Sequence, residues 1–259
     1  MATDLTQADQ TGLINCLLDI GQMLLECGAE ISRVEDTLYR MADAYGCKHI
    51  DVFVITSIIS LSITFSDDTV LTETRRIYSS SGTNFTRLEK LNDLSRSCCR
   101  RPYPVDALKK EIQQISYLEK PFSASLLGSI LTAAGFAFFF GGSVWDGIAA
   151  AVFGAGICLL QQKLDDTQIS QAGANLLISL LSGLCVGFVC MAVPGIHMDK
   201  ILIGDIMLLI PGLAMTNSFR NILGGNTISG VIRLTESLIW AAALAGGFMT
   251  SFYIIDLLL

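Results

Sequence analysis

Glu119-Lys120-Pro121-Phe122-Ser123-Ala124-Ser125-Leu126-Leu127-Gly128-Ser129-Ile130-Leu131-Thr132-Ala133-Ala134-Gly135-Phe136-Ala137-Phe138-Phe139-Phe140 is the stretch where the chain changes character. Before Pro121 lie 13 Lys and Arg and 17 Asp and Glu; after Lys120 only four basic and seven acidic residues remain in 139 positions. A soluble domain has to cover its surface with polar groups, so a segment this poor in charge cannot face water on all sides. The chain therefore reads as a water-soluble part, 1–120, followed by a membrane-embedded part, 121–259. The mean hydropathy of +0.54 averages two unlike halves.

Within the second half, hydropathy predicts five membrane-crossing segments: 122–140, 144–160, 172–193, 201–219 and 237–258. Residues Met1 to Gln10 contain no basic and apolar leader, so the N-terminus is expected to stay in the cytoplasm. With that orientation, Lys163, Arg220 and Arg233 fall in inner connections and Lys200 alone in an outer one, the expected bias. Gly183-Leu-Cys-Val-Gly187 is a small-residue motif suited to close helix packing.

In the first half, Leu13, Leu17, Ile20, Leu24, Ile31, Val34, Leu38 and Met41 recur at helical steps, with Gly28 dividing the run and Gly46 ending it. The β-branched stretch from Asp51 to Phe65, the Asp67-Asp68 turn and Thr69–Ile77 predict two or three antiparallel strands. Amphipathic helices follow near 84–98 and 105–118. The expected fold is thus a cytoplasmic α+β domain joined to a polytopic bundle of about five transmembrane helices.

Several function classes drop out on composition. The net charge of −7 disfavours a nucleic-acid partner. No phosphate-binding glycine loop occurs. Eight cysteines show no Cys-x-x-Cys pair and no His at ligand spacing, so neither metal nor other cofactor is expected. Arg96, Arg100 and Arg101, close to the first span, read as a solvated face or as a contact for anionic membrane lipid.

Polar residues at membrane depth are costly unless they pair or meet water. The densest group is Leu209-Ile-Pro-Gly-Leu-Ala-Met-Thr-Asn-Ser-Phe-Arg-Asn221. Pro211 removes a backbone donor and Gly212 tolerates unusual torsions, so a helix break is expected there. Broken helices expose backbone groups that bind substrate in many transporters. Thr216 and Asn217 follow, and Arg220 is placed to hold a carboxylate. A kinked helix with Arg220 as an interfacial anchor is the alternative. Asp205 and Glu236 are the candidates for carrying a proton or balancing Arg220; Asp146 reads as a helix cap, and His197 and Asp199 as solvated loop residues.

Gly28-Ala-Glu-Ile-Ser-Arg-Val-Glu35, Phe140-Gly-Gly-Ser-Val-Trp-Asp146, Pro211-Gly-Leu-Ala-Met-Thr-Asn-Ser-Phe-Arg220 and Gly225-Asn-Thr-Ile-Ser-Gly230 together resemble the threonine/serine exporter family. The resemblance runs from about Leu13 to the end. It implies a multi-pass protein of the bacterial inner membrane, not an enzyme, exporting threonine, serine or a succinate-like dicarboxylate. Single-chain members have about ten spans. This chain has about half, which implies the larger subunit of a split form. Its partner would be a small multi-span subunit, with a higher oligomer as one arrangement. Asn221 and Asn226 stand where the family is expected to carry Asp, which leaves Asp205 and Glu236 for ion coupling. A membrane-anchored sensor or scaffold and an intramembrane enzyme are the competing classes.

Overall fold

In a computed structural model of the chain, residues 5–77, 84–118, 121–165, 167 and 169–258 are described. The chain forms two compact units, Met1–Lys120 with Thr216–Leu234, and Pro121–Met215 with Thr235–Leu259. The segment 216–234, which hydropathy assigns to the membrane half, thus groups with the first unit.

The first unit opens with α1 (Gln7–Glu26) and α2 (Ile31–Ala44). Thr6 starts α1 through a reciprocal cap: its hydroxyl accepts from the Asp9 amide at 3.3 Å, and the Asp9 carboxylate accepts from the Thr6 amide at 3.2 Å. Gly28 and Gly46 follow the two helices with φ of 83° and 80°, a region that a Cβ disfavours. The periodic residues Leu13, Leu17, Ile20, Val34, Leu38 and Met41 are all fully buried.

Three antiparallel strands follow in the order β1 (His49–Ile55), β2 (Ile58–Thr64) and β3 (Val70–Arg76). The β-branched run is therefore two strands with a two-residue turn at Thr56-Ser57. Because the register pairs Val54 with Ile59, the buried positions switch from even numbers in β1 to odd numbers in β2. Ile59, Leu61 and Ile63 enter the core. On the opposite face, the hydroxyls of Ser60 and Thr74 and of Ser62 and Thr72 bond across β2 and β3 at 3.1 and 2.7 Å. Strand β1 is an edge. On α2, Glu35 accepts the Val54 amide at 3.1 Å, closing part of that edge. Helices α3 (Phe85–Arg100) and α4 (Val105–Ser116) pack against α1 and α2, and their Leu91, Cys98 and Leu108 join the same core.

The second unit contains α5 (Phe122–Phe139), α6 (Val144–Asp165), α7 (Gln171–Ala192) and α8 (Met198–Leu209). Helices α9 (Gly212–Leu223) and α10 (Thr227–Leu258) contribute to both units. Among the described residues, α5, Val144–Leu164, α7 and Thr227–Leu257 are long and apolar enough to cross a membrane. The fourth segment expected from hydropathy is two helices, α8 and α9, bent by 50° at Ile210-Pro211, and counts as a fifth span if read as one. The last segment, expected at 237–258, is the C-terminal part of a 32-residue helix.

Packing in this unit relies on close approach rather than on large side chains. A Cβ on Gly204 would sit 2.5 Å from the Ala133 carbonyl oxygen, and one on Gly154 2.7 Å from the Ala133 Cβ. A Cβ on Gly183 would meet the Ser251 hydroxyl, and one on Gly247 would meet Ser179 and lie 2.6 Å from the Leu176 carbonyl oxygen. Glycines therefore seat α5 against α6 and α8, and α7 against α10. The outward surface is apolar: Leu131, Phe139, Trp145, Val152, Met249 and Tyr253 are exposed, a pattern that suits hydrocarbon and not water.

Two measurements test this packing. Gly247→Val is expected to destabilise the detergent-solubilised protein by about 1–3 kcal/mol, seen as a lowered melting temperature. Gly246→Ala, whose Cβ meets nothing within 4 Å, should leave it unchanged. For Glu35, burial pushes the carboxyl above its ordinary 4.5, while the Val54 amide pulls it back in part. The folded chain then holds this proton more tightly than the unfolded chain. Its stabilising contribution is complete below pH 4.5 and is lost as pH rises through the raised folded value. Glu35→Gln keeps an acceptor for Val54 and removes the titration. Amide exchange in β1 should accordingly become less pH-dependent in that variant once intrinsic exchange is subtracted.

Candidate functional site

The proline–glycine break determines what α9 can present. Pro211 has no amide to donate, Ile210 is extended, and the Gly212 amide turns back to the Ile210 carbonyl at 2.8 Å. A new helix starts at Gly212 and runs to Leu223. Its end is closed by Gly225 at φ 90°, with the Asn226 amide donating to the Asn221 carbonyl at 2.9 Å. At Gly230 a Cβ would press within 2.5 Å of Ile222 and 2.9 Å of the Ser218 carbonyl oxygen. The stretch Gly225–Gly230 is thus a tight helical hairpin whose glycines let α9 and α10 touch.

In the first unit, this hairpin faces the turn between α1 and α2. The Asn217 side-chain amide donates to the Gly28 carbonyl at 3.2 Å. One guanidinium nitrogen of Arg220 lies 3.5 Å from the Glu30 carboxylate. Glu30 precedes α2, accepts from the Ser32 hydroxyl at 3.1 Å, and lies 3.9 Å from the Arg33 guanidinium. Its side chain is 17% exposed, that of Arg220 57%. The two sequence stretches richest in motif residues, 28–35 and 211–220, therefore meet. The carboxylate within reach of Arg220 is Glu30.

The pair is long, single-contact and half open to solvent, so it contributes about 0–1 kcal/mol. An anion able to engage the guanidinium through two parallel bonds binds more strongly than this.

The remaining candidates separate. Thr216 is exposed on α9, in the first unit; Pro211 and Gly212 lie in the second. Asp205, on α8 in the second unit, is fully buried, and one carboxylate oxygen accepts the Ser182 hydroxyl of α7 at 2.9 Å. Its other oxygen has no hydrogen-bond partner among the described residues. Glu236, on α10, is partly buried and makes no ion pair among the described residues. Asn221 is buried with neither side-chain polar atom bonded among the described residues.

Asp146 caps α6 as expected, exchanging bonds with Ser143 at 2.7 and 3.2 Å. It also does more. Its carboxylate accepts the His197 amide at 2.7 Å and lies 3.0 Å from the His197 Nδ1, tying the α5–α6 turn to the start of α8. His197 is thus tied to Asp146, while its side chain stays largely exposed, as a solvated residue would be. No group of three or more His, Cys, Asp or Glu is placed to hold a metal among the described residues.

Two participants escape a reading by residue type. Glu30 lies 190 positions from Arg220, and Ser182 is a common residue in an apolar helix. A signal for Ser182 exists: Asn175, Ser179 and Ser182 recur at helical spacing, and all three are buried.

The Asn217 contact is testable alone. Asn217→Ala should accelerate amide exchange in the α1–α2 turn about fivefold, the equivalent of about 1 kcal/mol. Unchanged exchange there would contradict the contact.

A family model described as "Putative threonine/serine exporter" matches residues 15–255. Comparisons with curated proteins and with solved structures find no match. The match takes in α2, the sheet, all the apolar helices, and both stretches that meet at Arg220. The chain belongs to the threonine/serine exporter family.

Proposed function

We infer that the chain is the larger subunit of a secondary exporter that moves a small carboxylate, threonine, serine or a succinate-like dicarboxylate, out of the cell. The observation that carries this reading is the weak, partly exposed Arg220–Glu30 pair beside Asn217. A substrate carboxylate takes the place of Glu30 on Arg220, with Thr216 and Asn217 supplying polar contacts and the Pro211-Gly212 break giving α9 its separate start. The exchange replaces one single-contact pair by a bidentate one, so substrate releases the α1–α2 turn. Membership in a transporter family supports the class; the substrate rests on the chemistry of Arg220.

Asp205 is the proposed coupling group. A carboxylate buried among apolar helices is costly when charged and unpaired, and its one bond to Ser182 leaves an oxygen free to take a proton. Glu236 is the second candidate. The N-terminal unit faces the cytoplasm of a bacterial cell in this reading, and the protein lies in the inner membrane. The exposed apolar faces are covered by lipid and by a small multi-span partner subunit.

Reconstitution of the chain with its small partner in vesicles tests this. A proton gradient should drive movement of labelled threonine, serine or succinate. Arg220→Gln should lower the rate at least tenfold, and Asp205→Asn should abolish the response to the gradient while leaving exchange of substrate across the membrane. Failure to move any of the three with Arg220 intact would remove the carboxylate class.

A further inference from the structure

Helices α2 and α3 lie side by side in the first unit, and an open groove of about 470 Å³ runs between them. That volume is in the range of small-molecule sites. Arg33 and Arg40 line it from α2, and Arg96 and Arg100 from α3. A single carboxylate, Asp36, lies among these four guanidinium groups. The chain as a whole carries a net charge of −7, so this cationic excess runs against the background.

Internal pairing accounts for only part of it. Arg40 engages Asp36 at 2.8 Å and Arg96 engages Asp93 at 2.5 Å, each within its own helix. Arg33 comes only to 3.9 Å from Glu30, and Arg100 has no acidic partner among the described residues. Like charges brought together around one groove repel, and an anion between them relieves that cost. Guanidinium forks match the tetrahedral oxygens of phosphate. With Arg40 and Arg96 closely paired, Arg33 and Arg100 remain without a close partner among the described residues, and two such cations in one groove call for a ligand with two negative charges. A zwitterionic amino acid, with no net charge, does not supply this. Thr37, also in the lining, offers a hydroxyl.

The geometry points to the α2–α3 groove as a binding site for a phosphate compound carrying at least two negative charges, distinct from the Arg220 contact. That chemistry is shared by soluble polyphosphate metabolites and by the headgroups of anionic lipids.

Cys99, an exposed thiol on the groove wall, reports occupancy. The full chain is placed in nanodiscs and alkylated with a maleimide, and the label on Cys99 is read by peptide mass. In zwitterionic nanodiscs, inorganic pyrophosphate should slow labelling at least fivefold, and Arg96→Gln with Arg100→Gln should remove that protection. Arg100→Gln alone, at an exposed unpaired position, should weaken it if the double variant folds poorly. Slowing in nanodiscs of anionic phospholipid without pyrophosphate, lost in the same variants, would support the site with a headgroup as its occupant. Protection by neither phosphate source would overturn the proposal. So would equal protection by succinate, or protection that survives both variants.

Discussion

A polar side chain carried into an apolar helix bundle has to find its bonds inside the bundle, and the second unit is arranged around that constraint. Its buried acids solve it differently. Asp146 saturates its carboxylate with two backbone amides and the His197 ring, so it can act as a fixed joint between a turn and a helix start. Asp205 is held by one serine hydroxyl and keeps an oxygen unsatisfied. A buried carboxyl left short of partners is costly in its charged form. The two aspartates thus differ in how fully the bundle satisfies them, and that difference is what makes Asp205 the proposed coupling group.

The same economy applies to the backbone. Because the bundle has few charges to spend on specificity, its helices are aligned by glycines seated on facing carbonyls and hydroxyls, as at Gly204 on Ala133 and Gly247 on Ser179. Where the ladder is broken, at Pro211-Gly212, the lost bonds are placed at a bend of 50° and a new helix begins. That helix then delivers Asn217 and Arg220 to the α1–α2 turn, whose Gly28 carbonyl is available because the residue adopts a positive φ. The Gly-Ala-Glu stretch and the Pro-Gly-Leu stretch thus meet in one small polar contact.

Much of this was legible in the residues. The helical periodicity of 13–41, the stops at Gly28 and Gly46, and the break at Pro211 follow from local rules and are in the structure. The strand run from Asp51 to Phe65 concealed a turn, because Thr56-Ser57 lacks the Gly, Pro, Asn or Asp that marks a two-residue hairpin and Ser57 is a weak signal among the other serines of the run; the parity change between Val54 and Ile59 marks it. The last helix starts ten residues before its expected span, since Arg233 and Glu236 lower hydropathy without opposing helix formation. Long-range pairs were illegible. Nothing in the spacing of Glu30 and Arg220, or of Asp146 and His197, announces a contact, because such contacts are set by the packing of whole elements.

The central claim is that α9 rests on the α1–α2 turn through Arg220 and that substrate breaks this contact. The most direct measurement is cross-linking of Glu30→Cys to Arg220→Cys, in a chain otherwise free of reactive cysteines, with a short bifunctional thiol reagent. To keep the guanidinium in play, the companion pair Ala29→Cys and Phe219→Cys is measured with and without added threonine, serine or succinate. Efficient cross-linking in both pairs, reduced several-fold by substrate in the pair that retains Arg220, is the predicted result. No cross-link in either pair, or a yield in the companion pair that substrate leaves unchanged, would contradict it.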